Sequence, residues 1–187
     1  MRISLFIISC LLLVACSSEP TKSHYYLLRS DLATDTNRAM EPSGIVLTHI
    51  VVATYIDQQG LVLETADGQI NVAVHHLWAE PLRHSLKGFL ANEISIKSGK
   101  DIYAERVAGV EPLVKISIDI SQLHGTLDGN AVLEASWAIT TSKNNKLDQT
   151  SYQFSKQQAL TSDGYDALVA AEKKLLQQLA AEISQHL

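Results

Sequence analysis

The chain has 187 residues, 46% of them hydrophobic and 19% charged, with a formal net charge of −5. That is enough apolar length for one ordinary domain with a real core. Acidic and basic residues are interspersed, and no basic run or aromatic–basic stripe occurs, which argues against nucleic acid as a partner and against electrostatic docking on anionic lipid.

The first segment, MRISLFIISCLLLVAC (Met1 to Cys16), places one basic residue, Arg2, ahead of an apolar run that ends in Leu13-Val14-Ala15-Cys16. The run is shorter than the roughly 20 residues a spanning helix needs and suits the h-region of an export signal. Its end looks like a bacterial lipobox. Residues 1–15 therefore read as a cleaved signal peptide and Cys16 as the lipid attachment site, with diacylglycerol on its sulfur and an acyl group on the new amine. Each buried methylene adds roughly 0.8 kcal/mol of membrane affinity, so several chains on one residue amount to a permanent anchor. Ser17, where aspartate would favour retention in the inner membrane, points to the periplasmic face of the outer membrane under enteric sorting rules. Cys10 leaves with the signal and Cys16 is acylated, so no thiol remains for a disulfide. Residues 16–23 form the lipidated cysteine and a polar tether; the stretch SSEPTKS reaches roughly 25 Å when extended. Residues 24–187 then form one domain.

That domain opens with a short strand at His24 to Leu28, followed by a polar loop from Asp31 to Gly44. Ile45 to Val52 is β-branched and leads into an excursion around Tyr55-Ile56-Asp57. Leu61 to Thr65 and Gln69 to Val74 flank the turn Ala66-Asp67-Gly68, where glycine supplies positive φ. A helix follows over Pro81 to Lys97: Leu82, Leu86, Phe89, Leu90 and Ile94 recur at helical spacing, and Gly99 stops it. Ile102 to Glu105 is another short strand. In PLVKISIDI, Val114, Ile116, Ile118 and Ile120 share one face. After the turn Leu127-Asp128-Gly129-Asn130, residues 131–141 run back with Leu133, Ala135, Trp137 and Ile139 on one face. A turn at Lys143 to Lys146 leads into Gln149 to Leu160. This meander has one apolar face that needs a cover. The final helix supplies it, capped by Ser162 or Asp163 and running to about His186, with Tyr165, Leu168, Val169, Leu175, Leu176, Leu179 and Ile183 as its stripe. The expectation is an α+β fold: a mainly antiparallel sheet of about seven strands with two amphipathic helices packed on one face.

The stretch VHHLWAEPL, Val74 to Leu82, is the one that looks chemical. Adjacent histidines at a strand end point to opposite faces, so His75 and His76 are poorly placed to share a metal ion, and neither H-E-x-x-H nor a cysteine cluster accompanies them. No metal or other cofactor is expected. A G-x-S-x-G elbow and a phosphate-binding loop are both missing, and no carboxylate pair has general acid–base spacing, so the chain does not read as an enzyme. A junction explains the residues better. Pro81 suits the first helical position, Glu80 places negative charge at the positive helix end, and Trp78 and Leu82 clamp the helix entry onto the sheet.

The order of these features carries a family resemblance: the lipobox, Tyr25-Tyr26-Leu27-Leu28, the Ile/Val strand into Tyr55-Ile56-Asp57, the block His76-Leu77-Trp78-Ala79-Glu80-Pro81-Leu82 entering a helix, the meander with Trp137, and an Ala/Leu helix from Tyr165. Together they resemble the PqiC-like (YmbA-like) ABC-type transport auxiliary lipoprotein family. The resemblance implies an outer-membrane-anchored docking component of an MCE-type intermembrane lipid transport system that supports envelope integrity. Its implied partners are a periplasmic MCE-domain protein and inner-membrane transporter components, with ring-like self-association as one way to multiply the contact patch. It also implies no catalysis. Two alternatives stand beside it: a carrier that binds lipid or another small hydrophobe, and a general envelope-assembly lipoprotein.

Overall fold

The computed structural model describes residues 21–30, 41–66, 68–105, 112–143 and 146–187. Its elements run β1 (His24–Tyr26), β2 (Glu41–Val52), β3 (Gly60–Ala66), β4 (Gln69–Trp78), α1 (Leu82–Ser98), β5 (Lys100–Tyr103), β6 (Val114–Thr126), β7 (Asn130–Lys143), β8 (Lys146–Ala159) and α2 (Tyr165–Ser184). The lipobox with Cys16, the loop residues 31–40, Asp67 and turn residues 144–145 lie outside the described residues.

The expected meander is present. β7 pairs antiparallel with both β6 and β8, which sets Ile116 beside Ile139, Ile118 beside Trp137 and Ile120 beside Ala135. The register slips between Ile120 and Gln122. The extra residue, Ser121, turns Leu123 onto the face that Ile116, Ile118 and Ile120 already occupy. Leu123 then sits opposite Leu133, and both are buried.

The sheet departs from expectation in strand number and direction: among the described residues it has eight strands, not about seven, and it is mixed, not mainly antiparallel. β2 and β3 lie in tandem along the second edge of β6, both parallel to it: β2 beside Val114 to Ile120, β3 beside Gly125 and Thr126. They behave as one strand interrupted by the Tyr55 excursion. β5 adds to β2 and β1 adds to β4, again in parallel. The physical reason for the miss is that side chains alternate with a period of two in both kinds of pairing, so periodicity reveals a strand's inner face but not its neighbour's direction.

The two helices pack side by side against the apolar face. Leu86, Leu90 and Ile94 of α1 and Leu175, Leu176, Leu179 and Ile183 of α2 are fully buried, each contributing roughly 1.5–3 kcal/mol by leaving water. Both helix starts fall later than expected. Pro81 is the residue before the helix, with φ −53° and ψ 122°, and its carbonyl accepts the His84 and Ser85 N–H groups at 3.0 and 3.2 Å. For α2 the residue before the helix is Gly164, and Ser162 and Asp163 stay outside without capping it. Gly99 does end α1, at φ 74°, with its N–H on the Ser95 carbonyl at 2.9 Å.

At Gly60 the backbone of β4 comes close to β3. A Cβ built there would lie 2.4 Å from the Ala73 carbonyl oxygen and 2.5 Å from Val72 Cγ1. Gly60→Ala is therefore expected to cost about 1–3 kcal/mol through overpacking, measured by urea unfolding; an unchanged midpoint would contradict the tight approach.

Candidate functional site

The Trp78–Leu82 block is a junction between sheet and helix. Trp78 is 4% exposed and Leu82 3%, while Ala79, Glu80 and Pro81 between them are exposed. The Trp78 N–H donates to the Gln59 carbonyl at 2.7 Å and the Ala79 N–H to the Tyr26 carbonyl at 2.8 Å, so the backbone ties β4 to its neighbours on both sides. Glu80 Oε2 accepts a bond from Ser85 Oγ at 3.0 Å, which anchors it beside the first turn of α1. Arg83 and Asp57 form an ion pair that links this turn to the Tyr55 excursion.

The two histidines fall where β4 loops away from β3: between Gly60 and Val62 of β3, β4 runs from Leu77 back to Val72. Here they separate. His75 is exposed, whereas His76 is half-buried and joins a cluster that brings together both ends of the domain. The His76 ring stacks on Tyr165 with centroids 4.2 Å apart and on His24 at 5.0 Å. Tyr26 Oη lies 2.8 Å from His76 Nδ1 and 2.8 Å from Asp166 Oδ1. A phenol has one proton, and it points to the Asp166 carboxylate; Tyr26 therefore donates to Asp166 and accepts from His76 Nδ1. Burial first, and then the hydrogen bond to Asp166, push the Tyr26 phenol up to about 12. It stays a neutral donor at any physiological pH, which suits a clasp and not proton transfer.

This clasp joins β1, β4 and the first turn of α2, and Asp166 there also meets the positive helix end. The sequence reading singled out His76 but missed Tyr26, Tyr165 and Asp166 as its partners. Tyr26 and Asp166 are 140 residues apart, and no local pattern signals such a pairing. Tyr26→Phe removes both bonds and is expected to cost about 1 kcal/mol, with β1 amides losing hydrogen-exchange protection before the rest of the sheet.

Elsewhere, Glu172 sits on the inner face of α2, 2% exposed, and its Oε2 has no hydrogen-bond partner among the described residues. Burial pushes its carboxyl up to about 8. A surface cavity of about 620 Å³ opens beside β2, β6 and α1, with Lys87, Glu105 and Lys115 on its walls; Lys87 pairs with Glu105 at 3.0 Å. Among the described residues no helix is long and apolar enough to cross a membrane.

A two-helix layer on a mixed sheet defines the α+β class of the protein. The chain belongs to the family of ABC-type transport auxiliary lipoprotein components, whose model matches residues 26–184. It is similar to the intermembrane transport lipoprotein PqiC of Escherichia coli strain K12, 24% identical over 181 residues, which covers 96% of this chain and 94% of the relative; PqiC of Shigella flexneri matches equally. Among solved structures, an uncharacterized protein superposes with a TM-score of 0.71 at 23% identity over 89% of this chain and 99% of its own. A Xanthomonas campestris protein does so at 0.62 and 16% identity, over 86% and 92%. These two share the fold.

Proposed function

We propose that this chain is an outer-membrane lipoprotein, acylated at Cys16, that serves as the docking component of an MCE-type intermembrane lipid transport system and thereby supports envelope integrity. The observation that carries this reading is the end-to-end match to PqiC, a lipoprotein named for intermembrane transport, at 96% of this chain. The lipobox Leu13 to Cys16 agrees with it. So does the fold: the conspicuous motif, Trp78 to Leu82, is spent on holding α1 to the sheet, and the surface is left for partners. In this reading the acyl anchor fixes one end of a bridge between membranes, and a face of the domain receives a periplasmic MCE-domain protein connected to inner-membrane transporter components. The partner surface can be multiplied by self-association.

The test is crosslinking in intact cells followed by purification of the lipidated chain from detergent. Recovery of an MCE-domain protein, with the chain fractionating with outer membranes, is the expected result. Recovery of peptidoglycan alone would favour an envelope-assembly role, and co-purified lipid without any protein partner would favour a carrier.

A further inference from the structure

The sheet has two distinct ends, and each presents a pair of exposed apolar side chains. At one end Ile70 of β4 lies opposite Glu64 of β3, and Glu64 lies beside Thr126 of β6. Leu127 follows Thr126 in the turn. Ile70 is 44% exposed and Leu127 72%. At the other end the Leu113 carbonyl accepts the Ser142 N–H at 3.1 Å, and Ser142 pairs with Leu147. Both leucines are more than half exposed. β6 spans the distance between the ends, about 40 Å at strand rise.

The direction of β1 distinguishes the two. It pairs parallel with β4, His24 beside His76 and Tyr26 beside Trp78. The chain preceding His24 is therefore released toward the start of β4, Gln69, and the β3–β4 turn. From His24 back to Cys16 an extended chain spans roughly 26–29 Å. Along β3, the distance from Gly60, opposite Leu77, to Ala66, opposite Gln69, is shorter, roughly 20 Å at strand rise. A tether of that length is thus long enough to bring the acylated residue level with the end that carries Ile70 and Leu127.

We infer that the Ile70–Leu127 end of the sheet rests on the bilayer that holds the anchor, with the Leu113–Leu147 end pointed away toward the periplasm. This rests on the acylation of Cys16 proposed above. The two apolar side chains meet the headgroup–acyl boundary. Glu64 and Asp128 flank them, so zwitterionic headgroups are the matching surface and anionic ones are repelled. The far end, about 40 Å along the sheet, is thereby the one free to receive a periplasmic protein.

Acylation of Cys16 leaves the mature chain without a free thiol, so one introduced cysteine reports one position. The full lipidated protein is prepared as Ile70→Cys, Leu127→Cys, Leu113→Cys and Leu147→Cys, all at exposed sites, and labelled with an environment-sensitive fluorophore. Each is reconstituted on vesicles of phosphatidylethanolamine and phosphatidylcholine that carry a headgroup-region quencher. Flotation with the vesicles checks the anchor independently. Strong quenching at 70 and 127 with little at 113 and 147 is expected. Flotation with equal quenching at all four sites, or with the reverse order, overturns the orientation and leaves the anchor standing. Failure to float overturns the anchor and the orientation together. Crosslinking of positions 70 and 127 to a second polypeptide on the vesicles shows another chain covering them and also overturns it.

Discussion

Trp78→Ala is expected to lose about 3–5 kcal/mol of folding stability, which for a domain of this size lowers the melting temperature by roughly 10 °C or more. The indole is 4% exposed at the point where β4 hands over to α1, and it shares the core with Leu82 and Leu86. Truncation leaves a cavity that the clamped backbone cannot close, because the Trp78 and Ala79 N–H groups are fixed to Gln59 and Tyr26. Trp78→Phe should recover much of the loss. Calorimetry or urea unfolding of the domain decides the matter: an unchanged midpoint for Trp78→Ala would mean that the ring serves a partner and not the core.

The second large effect concerns pH. Glu172 has an ordinary carboxyl value of 4.5, and burial raises it to about 8 in the folded chain. The folded state therefore holds its proton more tightly than the unfolded one. The stability this gives is fully present below about pH 4.5 and falls as pH rises toward 8. The slope is about 1.4 kcal/mol per pH unit, or roughly 4 kcal/mol between pH 4.5 and 7.5. Glu172→Met removes both the titration and the unpartnered oxygen while keeping the volume. It should equal the natural chain near pH 4.5 and exceed it increasingly toward pH 8, by roughly 1–4 kcal/mol at neutrality. Parallel urea unfolding curves at pH 5 and 8 read the difference. The same gap between the two proteins at both values would show that Glu172 is not the titrating group. A buried acid in an otherwise apolar helix face is a cost that packing alone does not explain.

Much of the core was legible because burial follows period. The α1 stripe from Leu82 to Ile94 and the inner-facing Ile116, Ile118, Ile120, Leu133, Ala135 and Trp137 were named from spacing, and all are buried. Glu172, which was not among the residues named for the α2 stripe, lies between Leu168 and Leu175/Leu176 and is buried with them. Helix starts slipped by a residue or more. Pro81 stands before the first turn of α1, and Gly164 rather than Ser162 or Asp163 precedes α2. Terminal geometry depends on how the chain enters from its neighbours.

The sequence by itself determined where most strands and both helices lie, which faces turn inward, and that the block Trp78 to Leu82 is a junction, because these follow from side-chain period and local backbone preference; the strand ends were missed where β2 begins at Glu41, within the expected loop, and β4 runs on to Trp78. The tertiary structure alone decided that β2 and β3 run parallel to β6 in tandem, that His76 meets Tyr26, Tyr165 and Asp166, and that β1 releases its tether toward one end of the sheet. Those facts rest on pairings between residues far apart in the chain. Strand direction and long-range partners are settled by how the segments close on one another, and no local pattern carries that information.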